Sequence, residues 1–240
     1  MTMLEVARLT KRFGGLTAVD DVSFSVAQGE VLGVVGPNGS GKTTTFNLIT
    51  GFIKPDSGRV LLNGHDITGL TPHRIVHQGI ARTFQLGRVF RHLTVAENIR
   101  TAVLLKRRGF ASQEERIAEL LNIVGLEGKG HREAGILPIG DLKRVEIARA
   151  LATDARVLLL DEPFSGLSHA EVSQIAALLR GLTERGLTVV IVEHVLRELR
   201  RLTENVIVLD FGVKIAEGRF DEVIEQPVVR EAYLGGAVSA

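Results

Sequence analysis

Residues 30–36 read EVLGVVG, an apolar run of strand length bounded by an acid and a glycine. Similar runs return at 156–163 (RVLLLDEP) and 187–194 (LTVVIVEH). Segments apolar on both faces are expected of strands in a parallel sheet, which helices cover on both sides. The earliest segments differ. LEVARLTKRF (4–13) and AVDDVSFSV (18–26) alternate apolar with polar and carry many β-branched residues, and GRVLLNG (58–64) reads as a further strand. Together these predict an antiparallel β subdomain.

Helical spacing appears at 41–50, at 168–182, and at 71–79, where Thr71 is the expected N-cap and Pro72 the first helical residue. Strands and helices therefore alternate, which predicts an α/β fold. From 86 to 151 helical patterns take over, notably TVAENIRTAVLLKRR (94–108) and SQEERIAELLNIV (112–124). This block is read as an inserted α-helical subdomain. The whole chain, 1–240, is read as one domain, with about 1–85 and 152–240 forming the core and the β subdomain. VIVLDFGVKIAEG (206–218) predicts two short strands about a Phe-Gly turn. No apolar run approaches the ~20 residues that span a bilayer. The opening MTMLEVARLTKRFGG lacks the apolar centre of a signal peptide. The chain is therefore not expected to cross a membrane itself.

Composition narrows the classes. Hydrophobic residues make up 45% and charged residues 24%, as in globular chains. Twenty-nine basic against twenty-eight acidic residues leave a formal charge of +1, so no nucleic-acid partner is expected. The absence of cysteine excludes disulfides and thiolate zinc sites and fits a reducing cytosol.

GPNGSGKTT (36–44) matches G-x-x-x-x-G-K-[S/T] between a predicted strand and a predicted helix, the context this motif requires. Gly36, Pro37, Asn38, Gly39, Ser40, Gly41, Lys42, Thr43 and Thr44 are therefore assigned to a nucleotide's phosphates. The glycines let successive backbone N–H groups turn inward as an anion nest, and the following helix adds its positive end. Lys42 is placed on the β- and γ-phosphates and the Thr43 hydroxyl on Mg²⁺. Alone, the motif gives a nucleoside triphosphate site and no reaction.

Two acids supply the reaction. Asp161 and Glu162 end the run VLLLDEP, where a carboxylate near a P-loop suits Mg²⁺ and its neighbour suits a general base for attacking water. His194 ends the next apolar strand and is placed to donate a hydrogen bond to charge developing on the γ-phosphate. Gln85, at the junction with the helical block, is a candidate ligand for Mg²⁺ or the attacking water.

The order of the P-loop, Gln85, 137–141, the Asp161–Glu162 pair, SGLS and His194 resembles the ATP-binding subunit of ABC transporters over essentially the whole chain. The resemblance implies a P-loop NTPase core with an antiparallel β subdomain and an inserted helical subdomain. It implies that Phe13 stacks on adenine and that Gln85 is the lid glutamine at the membrane-subunit interface. Leu137, Pro138, Ile139, Gly140 and Asp141 become the signature loop that faces the partner's ATP. Ser165, Gly166, Leu167 and Ser168 become the loop that crosses to the partner, and His194 the switch histidine. ATP and Mg²⁺ are the implied cofactors. The implied partners are a second ATP-binding subunit, in a homo- or heterodimer, integral membrane permease subunits and, indirectly, a solute-binding protein. The implied location is peripheral, on the cytoplasmic face of the cell membrane. KRFGGLTAVDDVSF, ARTFQLGRVFRHLTVAENI, RVEIARAL and VVREAYLGG are similar to the branched-chain amino acid importer subfamily. Relatives there also import urea or short amides, which leaves that cargo as the first alternative; a soluble, non-transport ABC ATPase is the second, disfavoured because the chain has one such head and no long coiled-coil or zinc-bearing insertion.

Other features point elsewhere only weakly. Asp210, Phe211 and Gly212 spell a kinase-like triplet, but no glycine-rich loop or His-Arg-Asp catalytic loop accompanies it, so a turn is expected. His73 and His77 share a helix face without a third ligand and are expected to be solvated. Lys106, Arg107 and Arg108 form a short, solvated basic run. No Asn-Lys-x-Asp motif supports a GTPase. The signature departs from the common Leu-Ser-Gly-Gly-Gln: Pro138 has no N–H or hydroxyl, and Asp141 brings a negative charge near an anion. The ATP facing this loop is expected to be held less tightly than one facing a partner's signature.

Overall fold

The computed structural model describes residues 1–83, 89–106 and 109–235. The chain opens with two long strands, β1 (Thr2–Phe13) and β2 (Leu16–Ala27), followed by β3 (Val31–Val35) and helix α1 (Lys42–Ile49). Then come β4 (Ser57–Leu62), β5 (His65–Asp66), α2 (Pro72–Gln78) and β6 (Ile80–Arg82). Three helices follow: α3 (Val95–Val103), α4 (Phe110–Ile123) and α5 (Ile139–Leu151). The chain returns through β7 (Val157–Asp161), α6 (His169–Glu184), β8 (Thr188–Val192) and α7 (Leu196–Leu199). It closes with β9 (Asn205–Asp210), β10 (Val213–Arg219), α8 (Phe220–Ile224) and α9 (Pro227–Gly235).

Two sheets result. β2-β1-β4-β5 is antiparallel throughout, and the larger sheet runs β10-β9-β3-β8-β7-β6. All neighbours in the larger sheet are parallel except the edge pair β9–β10. Every residue of β3, β7 and β8 is buried, as their unbroken apolar runs predict. Within β7 the side chains divide by the pleat. Val157 and Leu159 join Phe46, Ile49 and the antiparallel sheet in one core, whereas Leu158 and Leu160 join Val145, Ile175 and Leu179 of the helices in the other. Each such side chain contributes ~1.5–3 kcal/mol by leaving water.

The block beyond β6 packs α3, α4 and α5 on one another through Ile99, Leu120 and Val145, continuous with the helix-side core. A capping box starts α3: Thr94 Oγ1 accepts from Glu97 N–H at 3.2 Å, and Thr94 N–H donates to the Glu97 carboxylate at 2.7 Å. Pro72 opens α2 behind Thr71, and its His73 and His77 are exposed. Asp210, Phe211 and Gly212 span the β9–β10 turn. Among the described residues, no helix is long and apolar enough to cross a membrane.

Candidate nucleotide site

The strand–loop–helix unit from β3 to α1 frames a cleft of about 520 Å³. Asn38, Gly39, Ser40, Gly41, Lys42, Thr43 and Thr44 line it, with Phe13, Thr17, Ala18, Glu162 and Phe211. Gly36 has no room for a side chain. Its φ is 146°, and a Cβ there would lie 2.0 Å from the Leu209 carbonyl oxygen. Lys42 is almost fully buried, and its ammonium donates to the carbonyls of Gly36 and Pro37, both at 2.8 Å. Burial pulls its pKa below the ordinary value of 10.5, while Glu162 and Asp161 counter the shift. The ammonium therefore occupies the mouth of the P-loop, where an anion's oxygens would replace carbonyl oxygens as its partners. Thr43, the second residue of α1, is exposed.

The acids arrive from the end of β7. Asp161 is paired with Arg82 of β6 at 2.7 Å, the two side chains being 7% and 5% exposed. Arg82 also donates to Asn47 Oδ1 at 2.6 Å and lies 5.4 Å from the centre of the Phe46 ring. Glu162 has a φ of 49°, a left-handed backbone unusual for this residue type, and its N–H donates to the Val192 carbonyl at 2.9 Å. Backbone strain of this kind concentrates at functional sites. His194 Nδ1 stands 3.7 Å from Glu162 Oε1, near but beyond hydrogen-bond length. Gln85 lies outside the described residues, as do Arg107 and Arg108.

The 137–141 loop lies at the start of α5, and none of its residues is among those lining the P-loop cleft. Pro138 is the N-cap, Ile139 is exposed and Gly140 is buried against Glu171. Asp141 turns to Lys129 at 2.6 Å, so its charge is balanced within the chain. The adjoining loop touches the same place: a Cβ on Gly166 would meet Ile139 at 3.0 Å. Ser168 caps α6, and its N–H and hydroxyl donate to the Glu171 carboxylate at 2.9 and 2.7 Å. These bonds, with a further one from Gly140 N–H, hold Glu171 below the usual carboxylate range.

Residues 19–165 match the family model for the ABC transporter, and residues 213–239 match that for the branched-chain amino acid ATP-binding cassette transporter. The chain is 38% identical, over 98% of each chain, to the high-affinity branched-chain amino acid transport ATP-binding protein BraF of Pseudomonas aeruginosa. It is equally 38% identical, over 97% of each chain, to the lipopolysaccharide export system ATP-binding protein LptB of Acidithiobacillus ferridurans. The ADP conformation of MJ1267, an ATP-binding cassette of an ABC transporter, superposes with a TM-score of 0.90 at 34% identity, covering 98% of this chain and 99% of that one. The chain belongs to the ABC transporter family.

It is the ATP-hydrolysing, nucleotide-binding subunit of a transporter. In this ABC ATPase several groups around the site left no mark in the linear pattern: Arg82, Lys129, Glu171 and Glu193. Glu193 is fully buried; its carboxylate accepts from Phe164 N–H at 2.8 Å and His194 N–H at 3.2 Å. One side chain thus ties the loop after Glu162 to the loop carrying His194. Burial pushes the Glu193 carboxyl above the ordinary 4.5. A carboxyl with a raised folded pKa holds protons more tightly in the native state, so the fold loses stability as pH rises from 4.5 through the folded value. Glu193→Gln is expected to remove that loss. Melting temperatures of the two proteins should diverge in the variant's favour as pH rises above 4.5, and a constant difference would count against the buried-carboxyl account.

Proposed function

We propose that this subunit energises an importer for branched-chain, hydrophobic amino acids from the cytoplasmic face of the membrane. The match of 213–239 to the branched-chain cassette model carries the cargo assignment. Overall identity does not choose the cargo, because the LptB relative is as similar as the BraF relative.

In this reading Phe13 covers adenine and residues 36–44 hold the phosphates, with Lys42 on the β- and γ-oxygens. The Asp161 carboxylate and Thr43 hydroxyl are hard oxygen donors of the kind Mg²⁺ takes, and Asp161 already faces a cation in Arg82. These two residues, with Gln85, would hold the ion, which when bound supplies charge neutralisation to the phosphates. Glu162 orients water and accepts its proton as the water oxygen bonds to the γ-phosphorus. The bond from that phosphorus to the bridging oxygen breaks, and ADP leaves with the electron pair. His194 donates a hydrogen bond to the charge that develops on the γ-oxygens.

Two ATP-binding subunits close face to face, each presenting 137–141 and 165–168 to the other's nucleotide. Lys129 relieves the repulsion expected from Asp141, but the N–H missing at Pro138 still leaves this signature a weak partner for ATP. The permease is placed in a groove of about 280 Å³ between α5, α3 and β6, lined by Arg82, Thr101, Leu105, Glu146 and Arg149. Co-reconstitution with permease subunits and a solute-binding protein tests the reading. Leucine, isoleucine and valine are expected to stimulate ATPase activity several-fold, and urea and acetamide are not. Stimulation by urea or acetamide alone would reassign the cargo.

A further inference from the structure

Phe211 occupies a position that a phenylalanine fills at a cost. Its φ is 42°, in the left-handed region that glycine and asparagine adopt readily and a bulky aromatic residue does not. The ring gains little from burial, since the residue is 83% exposed. The turn that carries it is firmly placed. Gly212 N–H donates to the Ser40 carbonyl of the P-loop at 3.1 Å, and the Gly212 carbonyl accepts from Asp20 N–H at 2.8 Å. A Cβ on Gly212 would lie 2.9 Å from the Ala18 oxygen, so this turn and β2 are in close contact. The ring therefore projects from a backbone braced on the P-loop itself. It lines the same cleft as Phe13 and Leu16, which are 46% and 66% exposed. The chain has ten phenylalanines, one tyrosine and no tryptophan. Aromatic contact with a base in this cleft thus falls to phenylalanine.

We propose that Phe211 is a second nucleobase-contacting residue, which together with Phe13 covers the base and ribose of the bound nucleotide. The inference rests on reading this cleft as the ATP site. Phosphate binding uses backbone N–H groups and Lys42, which the ring does not touch in kind; a flat aromatic surface adds affinity only for a ligand that carries a base.

The test uses the full-length chain with Phe211→Asn, which suits the turn and lacks the ring, and Phe211→Trp, which gives the protein its single indole. Binding of MgATP and of inorganic tripolyphosphate is measured calorimetrically. Phe211→Asn is expected to weaken MgATP binding about tenfold and to leave tripolyphosphate binding unchanged. Its melting temperature without nucleotide should equal or exceed that of the wild type, because the left-handed strain is relieved. Phe211→Trp should bind MgATP within threefold of wild type, with indole emission that saturates with ATP and ignores tripolyphosphate. Lys42→Ala serves as the control on the cleft and should weaken both ligands. If it does so while Phe211→Asn binds MgATP like the wild type, the proposal is overturned and the ATP site stands. If Lys42→Ala weakens neither ligand, the site reading fails and the proposal with it. Indole emission that follows protein concentration and not ATP would assign the ring to a subunit contact and also overturn the proposal.

Discussion

Glu162→Gln is expected to slow MgATP hydrolysis by at least about 100-fold while leaving MgATP binding intact. The residue lines the cleft, and its left-handed backbone, pinned by the bond from its N–H to Val192, fixes where the side chain begins. Glutamine keeps the size and the packing but cannot take a proton from water. The P-loop and Lys42 are untouched, and one negative charge is lost beside the triphosphate, so ATP affinity should be equal or tighter. Binding without turnover accumulates the ATP-loaded state. Size-exclusion chromatography with MgATP should then show a dimer that persists for the variant and dissolves for the wild type. Single-turnover hydrolysis above about a tenth of the wild-type rate would show that another group accepts the proton.

The parts of this fold with a one-dimensional signature were open to reading. β3, β7 and β8 are buried on both faces, so their apolar runs are unbroken. The P-loop depends on local backbone conformation, and its glycines lie within six positions of one another. Other elements are decided by partners distant in the chain. β6 has three residues, too few for a period to show, and exists because Ile80, Ala81 and Arg82 pair with Val157, Leu158 and Leu159. β1 and β2 look regular in sequence, yet Arg8 and Asp21 take positive φ where the register slips. At the site, Asp141 looked like an unscreened charge at a helix start, and only the fold brings Lys129 to it. Nothing in the run LTVVIVEH sets Glu193 apart, and only the fold places two loop N–H groups on its carboxylate. The triplet at 210–212 was correctly a turn, but its spacing carried no hint that the ring of Phe211 faces the cleft.

Arg82→Met is expected to destabilise the fold by about 3–5 kcal/mol, because it leaves the Asp161 carboxylate buried without its cation. The guanidinium is 5% exposed and the carboxylate 7%, with 2.7 Å between them, so neither group has bulk water to fall back on. Methionine preserves the apolar stem, while the bond to Asn47 Oδ1 and the guanidinium's place over the Phe46 ring are lost with the charge, so a second substitution is needed to single out the charge. At roughly 2–4 °C per kcal/mol for a chain of this size, the melting temperature should fall by about 6–20 °C. Adding Asp161→Asn should restore most of the loss, since the penalty belongs to the uncompensated charge more than to the missing attraction. MgATP should raise the melting temperature of Arg82→Met more than that of the wild type, because a second cation near Asp161 stands in for the lost one. A change of less than about 2 °C in the single variant would mean that Asp161 is served by water or by the Lys42 ammonium instead. The pair also joins two places. Arg82 lines the groove between α5, α3 and β6, and Asp161 ends the strand that delivers Glu162, so a single buried ion pair lies between the groove and the residue that lines the nucleotide cleft.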